Sequence, residues 1–162
     1  MSDLHIDISA LITTAQKRLL TATPHTIDYV EKEALKKSQL PSSLKSSPIN
    51  IYALWRRESV DSDWELMYIG QRSFKSGWSR VEQHLFATPQ GTQSKLKEVR
   101  AAIESGAQIG VTAIRVEPDS MRLSIEEELI NRNSQSAQQL LWNKKARAKP
   151  TRVVGSQTGV DE

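Results

Sequence analysis

The sequence predicts an α/β (α+β) domain: a small three-stranded mixed or antiparallel sheet flanked by helices, with an N-terminal helical arm. Three observations predict it. Two short apolar, aromatic runs flank an acidic turn in NIYALWRRESVDSDWELMYIGQRS (50–73). Segments with helical periodicity follow, and another strand-like run lies between them. A Ser/Pro-rich connector, PSSLKSSP (41–48), separates all of this from a helical N-terminus.

Taken in order, Ile8, Leu11, Ile12, Ala15 and Leu19 recur at helical spacing until Pro24 ends the pattern. A second helix is expected from Ile27 to Leu35, rich in Glu and Lys and capped by Thr26. The connector then closes an arm of residues 1–47. The main unit, 48–147, opens on a hairpin, with Ile51 to Arg56 and Glu65 to Gly70 as strands and Asp61-Ser62-Asp63 as the turn. A helix begins at Ser79. The next spans Ser94 to Glu104, with Leu96, Val99, Ala102 and Ile103 on one face and Gly106 past its end. Ile109 to Val116 alternates in β fashion and should join the hairpin. Pro118-Asp119-Ser120 turns the chain into a last helix, Met121 to Arg132. Residues 148–162 are basic and then polar, a tail expected to be poorly ordered.

The chain has 162 residues, 38% hydrophobic and 25% charged, ordinary for one globular domain. It has no cysteine, which excludes a disulfide framework and a thiolate metal site. No apolar run approaches the length of a membrane span, and MSDLHIDISA does not read as a signal peptide. A reducing cytoplasm is therefore the expected compartment, with no membrane partner. The net charge of +3 and a pI near 9.2 give a mild bias toward polyanions.

Several residues could carry chemistry. Ser79-Arg80-Val81-Glu82 has the capping-box pattern, which would put Arg80 in a first helical turn among free N–H groups, a setting that suits phosphate. His84 lies one turn further along the same face. The plain alternative is a surface arginine and a partly buried histidine. In Glu126-Glu127-Glu128-Leu129-Ile130, Glu126 lies against the buried side and needs a partner, either a basic side chain or a metal ion. Asn143, after Trp142, reads equally as a cap, a turn residue or a site member. Lys144, Lys145, Arg147, Lys149 and Arg152 form either a solvated tail or a track for a phosphate backbone. The loop from Gln71 to Trp78 interleaves basic and aromatic residues, or is simply a β-to-α connection.

Together and in this order, these residues resemble the GIY-YIG nuclease family. Its first motif appears as Asn50-Ile51-Tyr52 and its second as Tyr68-Ile69-Gly70. Arg80 and His84 match its arginine and the histidine one turn later. Glu126 matches its metal-binding glutamate, and Asn143 its final asparagine. The resemblance covers about residues 49 to 145 and is carried by order and spacing rather than by any one short motif. Two departures stand out: Asn50 occupies the place of the usual first glycine, and RRESVDSD lengthens the hairpin. The YALW strand, the extended loop and the LWN ending look most like the restriction-enzyme branch of the family.

The resemblance implies a Mg²⁺-dependent endonuclease, with Mn²⁺ as a substitute, that hydrolyses phosphodiester bonds in double-stranded DNA. It implies a type II restriction enzyme acting as a homodimer. In that scheme Glu126 holds the metal, Arg80 the scissile phosphate, and Tyr52 is the general base for water or orients it. Tyr68 bonds the water or a non-bridging oxygen, His84 assists Tyr52, and Asn143 steadies the far end of the site. A free tyrosine has a pKa near ~10 and needs cationic neighbours to act as a base. Arg72 and Lys75 are candidates for reading guanine edges, together with the N-terminal arm. The competing readings are a structure-specific or low-specificity nuclease of the same family, and a nucleic-acid-binding module without turnover.

Overall fold

The hairpin forms where its alternation requires it. In the computed structural model, which describes residues 4–134 and 142–143, strand β2 is Ile51–Arg57 and strand β3 is Glu65–Gln71. They pair antiparallel, with Tyr52 opposite Gly70 and Leu54 opposite Tyr68. A register shift follows Leu54, so that Trp55 faces Leu66 and Met67 is the extra residue. This bulge keeps the apolar side chains beyond it on their own face of the sheet. Strand β4, Gln108–Ile114, pairs antiparallel with the other edge of β2.

Among the described residues the sheet has four strands rather than the three expected. Strand β1, His25–Thr26, pairs with β4 and completes the order β1-β4-β2-β3. It displaces the start of the helix expected from Ile27 to Leu35. Ile27 N–H donates to Ile109 O at 2.9 Å, and the Tyr29 hydroxyl donates to Leu85 O at 3.0 Å. Ile27 and Leu35 are buried in the core, and only Leu35–Lys37 forms a single 3₁₀ turn. Pairing to an open strand edge and side-chain burial outweigh the helix propensity of the Glu/Lys-rich stretch, which spans only tenths of a kcal/mol per residue.

Among the described residues four α-helices cover the sheet: α1 (Ser9–Thr21), α2 (Gly77–Leu85), α3 (Leu96–Glu104) and α4 (Arg122–Ser134). Each face has its own core. On one, Tyr52, Leu54, Ile109 and Val111 pack against Val81 and Leu85 of α2 and Val99, Ala102 and Ile103 of α3. On the other, Ile51, Ala53, Trp55 and Ile69 pack against Ile12, Ala15 and Leu19 of α1 and Ile125, Leu129 and Ile130 of α4. The fold is α+β, an antiparallel sheet between helical layers. Among the described residues no helix is long and apolar enough to cross a membrane. Lys144, Lys145 and Arg147, and the tail 148–162, lie outside the described residues.

Candidate active site

Antiparallel register brings the two tyrosines together. Residues that face one another across strands share a face, so Tyr52 and Tyr68 are diagonal neighbours on the α2/α3 side. Their ring centroids are 6.2 Å apart. Gly70 makes this possible, because a Cβ there would fall 2.6 Å from Cζ and Oη of Tyr52 and 2.6 Å from a ring carbon of Tyr68. The glycine leaves the space that the Tyr52 phenol occupies.

Helix α2 supplies the next pair. It begins at Gly77, two residues before the expected start, where a Cβ would lie 2.0 Å from Ile49 O. The helix therefore butts directly against the chain entering β2. The expected capping box does not form: Ser79 lies inside the helix, and Glu82 instead pairs with Lys45 at 3.0 Å. The spacing of Arg80 and His84 still delivers both to the tyrosines. The His84 ring centroid is 5.6 Å from that of Tyr52 and 5.2 Å from that of Tyr68.

His84 is fully enclosed, and its hydrogen bonds fix its tautomer. Nδ1 accepts the main-chain N–H of Lys95 at 2.9 Å. A neutral ring then carries its proton on Nε2, which donates to Tyr52 Oη at 2.7 Å. Burial, helped by the positive charges of Arg80 and Lys95, pushes the His84 pKa down to about 3. His84 is thus a neutral donor toward the phenol oxygen at neutral pH.

Tyr52 is itself sealed, at 1% exposure. It is hydrogen-bonded to Tyr68 and Arg80 as well as to His84. Two of these partners bring only N–H donors, so the Tyr52 proton goes to Tyr68. Burial holds the Tyr52 hydroxyl well above its ordinary range; Tyr68 adds to this and Arg80 opposes it. The half-buried Tyr68 hydroxyl is also raised, by burial first and then by the Glu126 carboxylate, against the opposing pull of Arg80. Arg80 is held by Gln83 Oε1 at 2.8 Å and by the Gln93 carbonyl.

Glu126 lies on the inner side of α4 at 7% exposure, within electrostatic reach of Tyr68. Among the described residues no group of three or more His, Cys, Asp or Glu side chains could hold a metal ion. One carboxylate from the protein is a fitting donor for Mg²⁺, which keeps several waters and completes its shell with substrate oxygens.

Asn143 serves the strand. Its amide accepts the Ile69 N–H at 2.9 Å and donates to the Ile69 carbonyl at 2.9 Å. Trp142 N–H bonds Met67 O beside it. The pair closes the outer edge of β3 and so acts on the strand that carries Tyr68. Arg72 and Lys75 are exposed in the loop between β3 and α2.

One polar cluster escaped sequence reasoning. Asn50, buried at the entry to β2, donates from Nδ2 to Val116 O at 2.8 Å and to Asp119 Oδ1 at 2.9 Å, and accepts from Val116 N–H at 2.8 Å. Asp119 also accepts from Phe74 N–H at 3.1 Å and from Arg122 at 2.7 Å. The Asn50 bond, before the other contacts, holds the Asp119 carboxyl below the usual range. This cluster ties the Arg72/Lys75 loop to the ends of β2 and β4. Its one sequence signal is the asparagine in the place of a glycine, since only a side chain can make these bonds. Comparison of the chain with protein-family models, curated proteins and solved structures finds no match.

Proposed function

We propose that this chain is a Mg²⁺-dependent GIY-YIG-type endonuclease that hydrolyses phosphodiester bonds in double-stranded DNA, acting as a type II restriction enzyme. One observation supports the reading most. Tyr52, Tyr68 and His84, from separate elements, bring their rings within 5.2–6.2 Å, with Arg80 and Glu126 acting on the same hydroxyls.

Each side chain then has a task. Arg80 presents a fixed guanidinium to the phosphate and stabilises charge that grows in the transition state. Tyr68, the more exposed phenol, meets water and substrate first. In its phenolate form, which the Nε2–H of His84 stabilises, Tyr52 takes up the proton that the attacking water gives to the Tyr68 hydroxyl, through the Tyr52–Tyr68 hydrogen bond. Glu126 would hold Mg²⁺, which when bound supplies positive charge at the leaving 3′ oxygen. Arg72 and Lys75 contact DNA from the loop that Asp119 anchors. A break in both strands requires a second copy, and a twofold assembly reads a palindromic target.

The test is incubation of plasmid DNA with purified protein and Mg²⁺, followed by sequencing of the ends. Discrete fragments with common ends are expected. Glu126→Ala should abolish cleavage while retaining DNA binding. Arg80→Ala should lose activity by orders of magnitude, roughly 10²-fold or more. A smear, or nicking only at branched DNA, would redirect the proposal to a low-specificity or structure-specific nuclease. Intact DNA under every metal condition would end it.

A further inference from the structure

Lys95 stands beside the tyrosine pair. It is the N-cap residue of α3, and its main chain holds the His84 tautomer through the 2.9 Å bond to Nδ1. Its ammonium nitrogen lies 5.6 Å from the Tyr68 ring centroid, over the ring. Its charge and that of Arg80 both reach His84, so two cations flank the aromatic cluster. Among the described residues of the cluster, Tyr52 and His84 are sealed and Tyr68 is half-buried, so Tyr68 is the phenol that meets solvent. The phenol that meets solvent is therefore the one that carries the Lys95 ammonium over its ring.

We propose that Lys95 is a substrate-binding residue that contacts a backbone phosphate of the strand lying over Tyr68, next to the phosphate held by Arg80. This rests on the nuclease reading and extends it. Lysine chemistry suits the task. An ammonium is a compact point charge with rotatable donors, so it can meet phosphate oxygens over a range of positions. A contact to a flanking phosphate exists in both ground and transition states, so its loss raises KM and leaves kcat nearly unchanged.

The experiment measures DNA affinity against salt concentration, on the full chain in EDTA, with cleavage kinetics in Mg²⁺ alongside. Lys95→Met keeps the main-chain N–H to His84 and removes the ammonium. It should lower the slope of log affinity against log salt by about 0.9 and weaken binding roughly tenfold. Lys95→Arg should keep the slope. Lys97→Met, which removes an exposed charge two residues on, should change the slope distinctly less. An unchanged slope for Lys95→Met in a protein that still cleaves would overturn the inference alone. So would an equal loss in Lys97→Met. A wild-type chain that neither binds nor cuts DNA would overturn this inference and the nuclease reading together.

Discussion

Gly70 and His84 show how single residues set the chemistry of the site. At Gly70 there is no room for a methyl group, since it would lie 2.6 Å from the Tyr52 phenol and from the Tyr68 ring. Gly70→Ala must push one ring or bend the strand. Such overpacking costs about 1–3 kcal/mol, so chemical denaturation should show a loss of that size, with loss of any cleavage activity. His84 makes a different prediction. Its folded pKa of about 3 lies below the unfolded value of 6.5. Above pH 6.5 both states are neutral there and the fold keeps its full stability. As pH falls from 6.5 toward 3 the unfolded chain takes up a proton that the folded one does not, and stability drops by up to about 1.4 kcal/mol per pH unit. Melting curves over this window should flatten in His84→Gln, which cannot titrate. The phenols give the sign at the alkaline end. Burial raises both Tyr52 and Tyr68, so the phenolate fraction grows with pH throughout the neutral and mildly alkaline range. If Tyr52 accepts the proton, cleavage should accelerate up to about tenfold per pH unit there. A flat profile would leave Tyr52 only the role of orienting water.

At the scale of elements, β3 is an edge strand that needs its outer side satisfied. Asn143 does this with a side-chain amide that copies the donor and acceptor of a neighbouring strand. Asn143→Ala leaves the Ile69 N–H and C=O without these bonds, at a cost of about 1–3 kcal/mol. Amide exchange at Ile69 should accelerate selectively, and more than at the matching positions of β2. A substrate-binding role for Asn143 would instead change KM and leave exchange untouched. The same strand shows what local pattern can reveal. Alternation and the acidic turn made the hairpin readable, and helical spacing placed Arg80 and His84 one turn apart. Facts that depend on partners distant in sequence stayed hidden. The capping box read at Ser79 gives way because Gly77 must meet Ile49 O. The helix expected from Ile27 gives way because Thr26 and Ile27 find the free edge of β4. Asn50 looks like a blemish in a motif until Asp119 and Val116 are seen around it.

For the whole molecule, the relation of the first helix to the sheet is the feature that composition least suggests. The Ser/Pro-rich connector invites a reading of residues 1–47 as an arm beside the main unit. Yet α1 lays Ile12, Ala15 and Leu19 on the face formed by Ile51, Ala53, Trp55 and Ile69, sharing that core with α4. Leu19 is wholly enclosed and Ile12 is 6% exposed. Burying each large apolar side chain stabilises a fold by about 1.5–3 kcal/mol. Removing α1 forfeits this and also bares the sheet residues it covers, a loss comparable with the whole stability of a domain, about 5–15 kcal/mol. The same face carries Ile69, between Tyr68 and Gly70, so its loosening would reach the phenols on the opposite side. Deletion of residues 1–22 should therefore abolish cooperative thermal unfolding, followed by circular dichroism, instead of yielding a smaller active unit. Leu19→Ala is the graded version: a loss of about 2–5 kcal/mol with the transition still cooperative. A deleted chain that melts sharply and near the intact protein's temperature would show that α4 alone suffices to close that face, and that the helix belongs to the arm in function as well as in sequence.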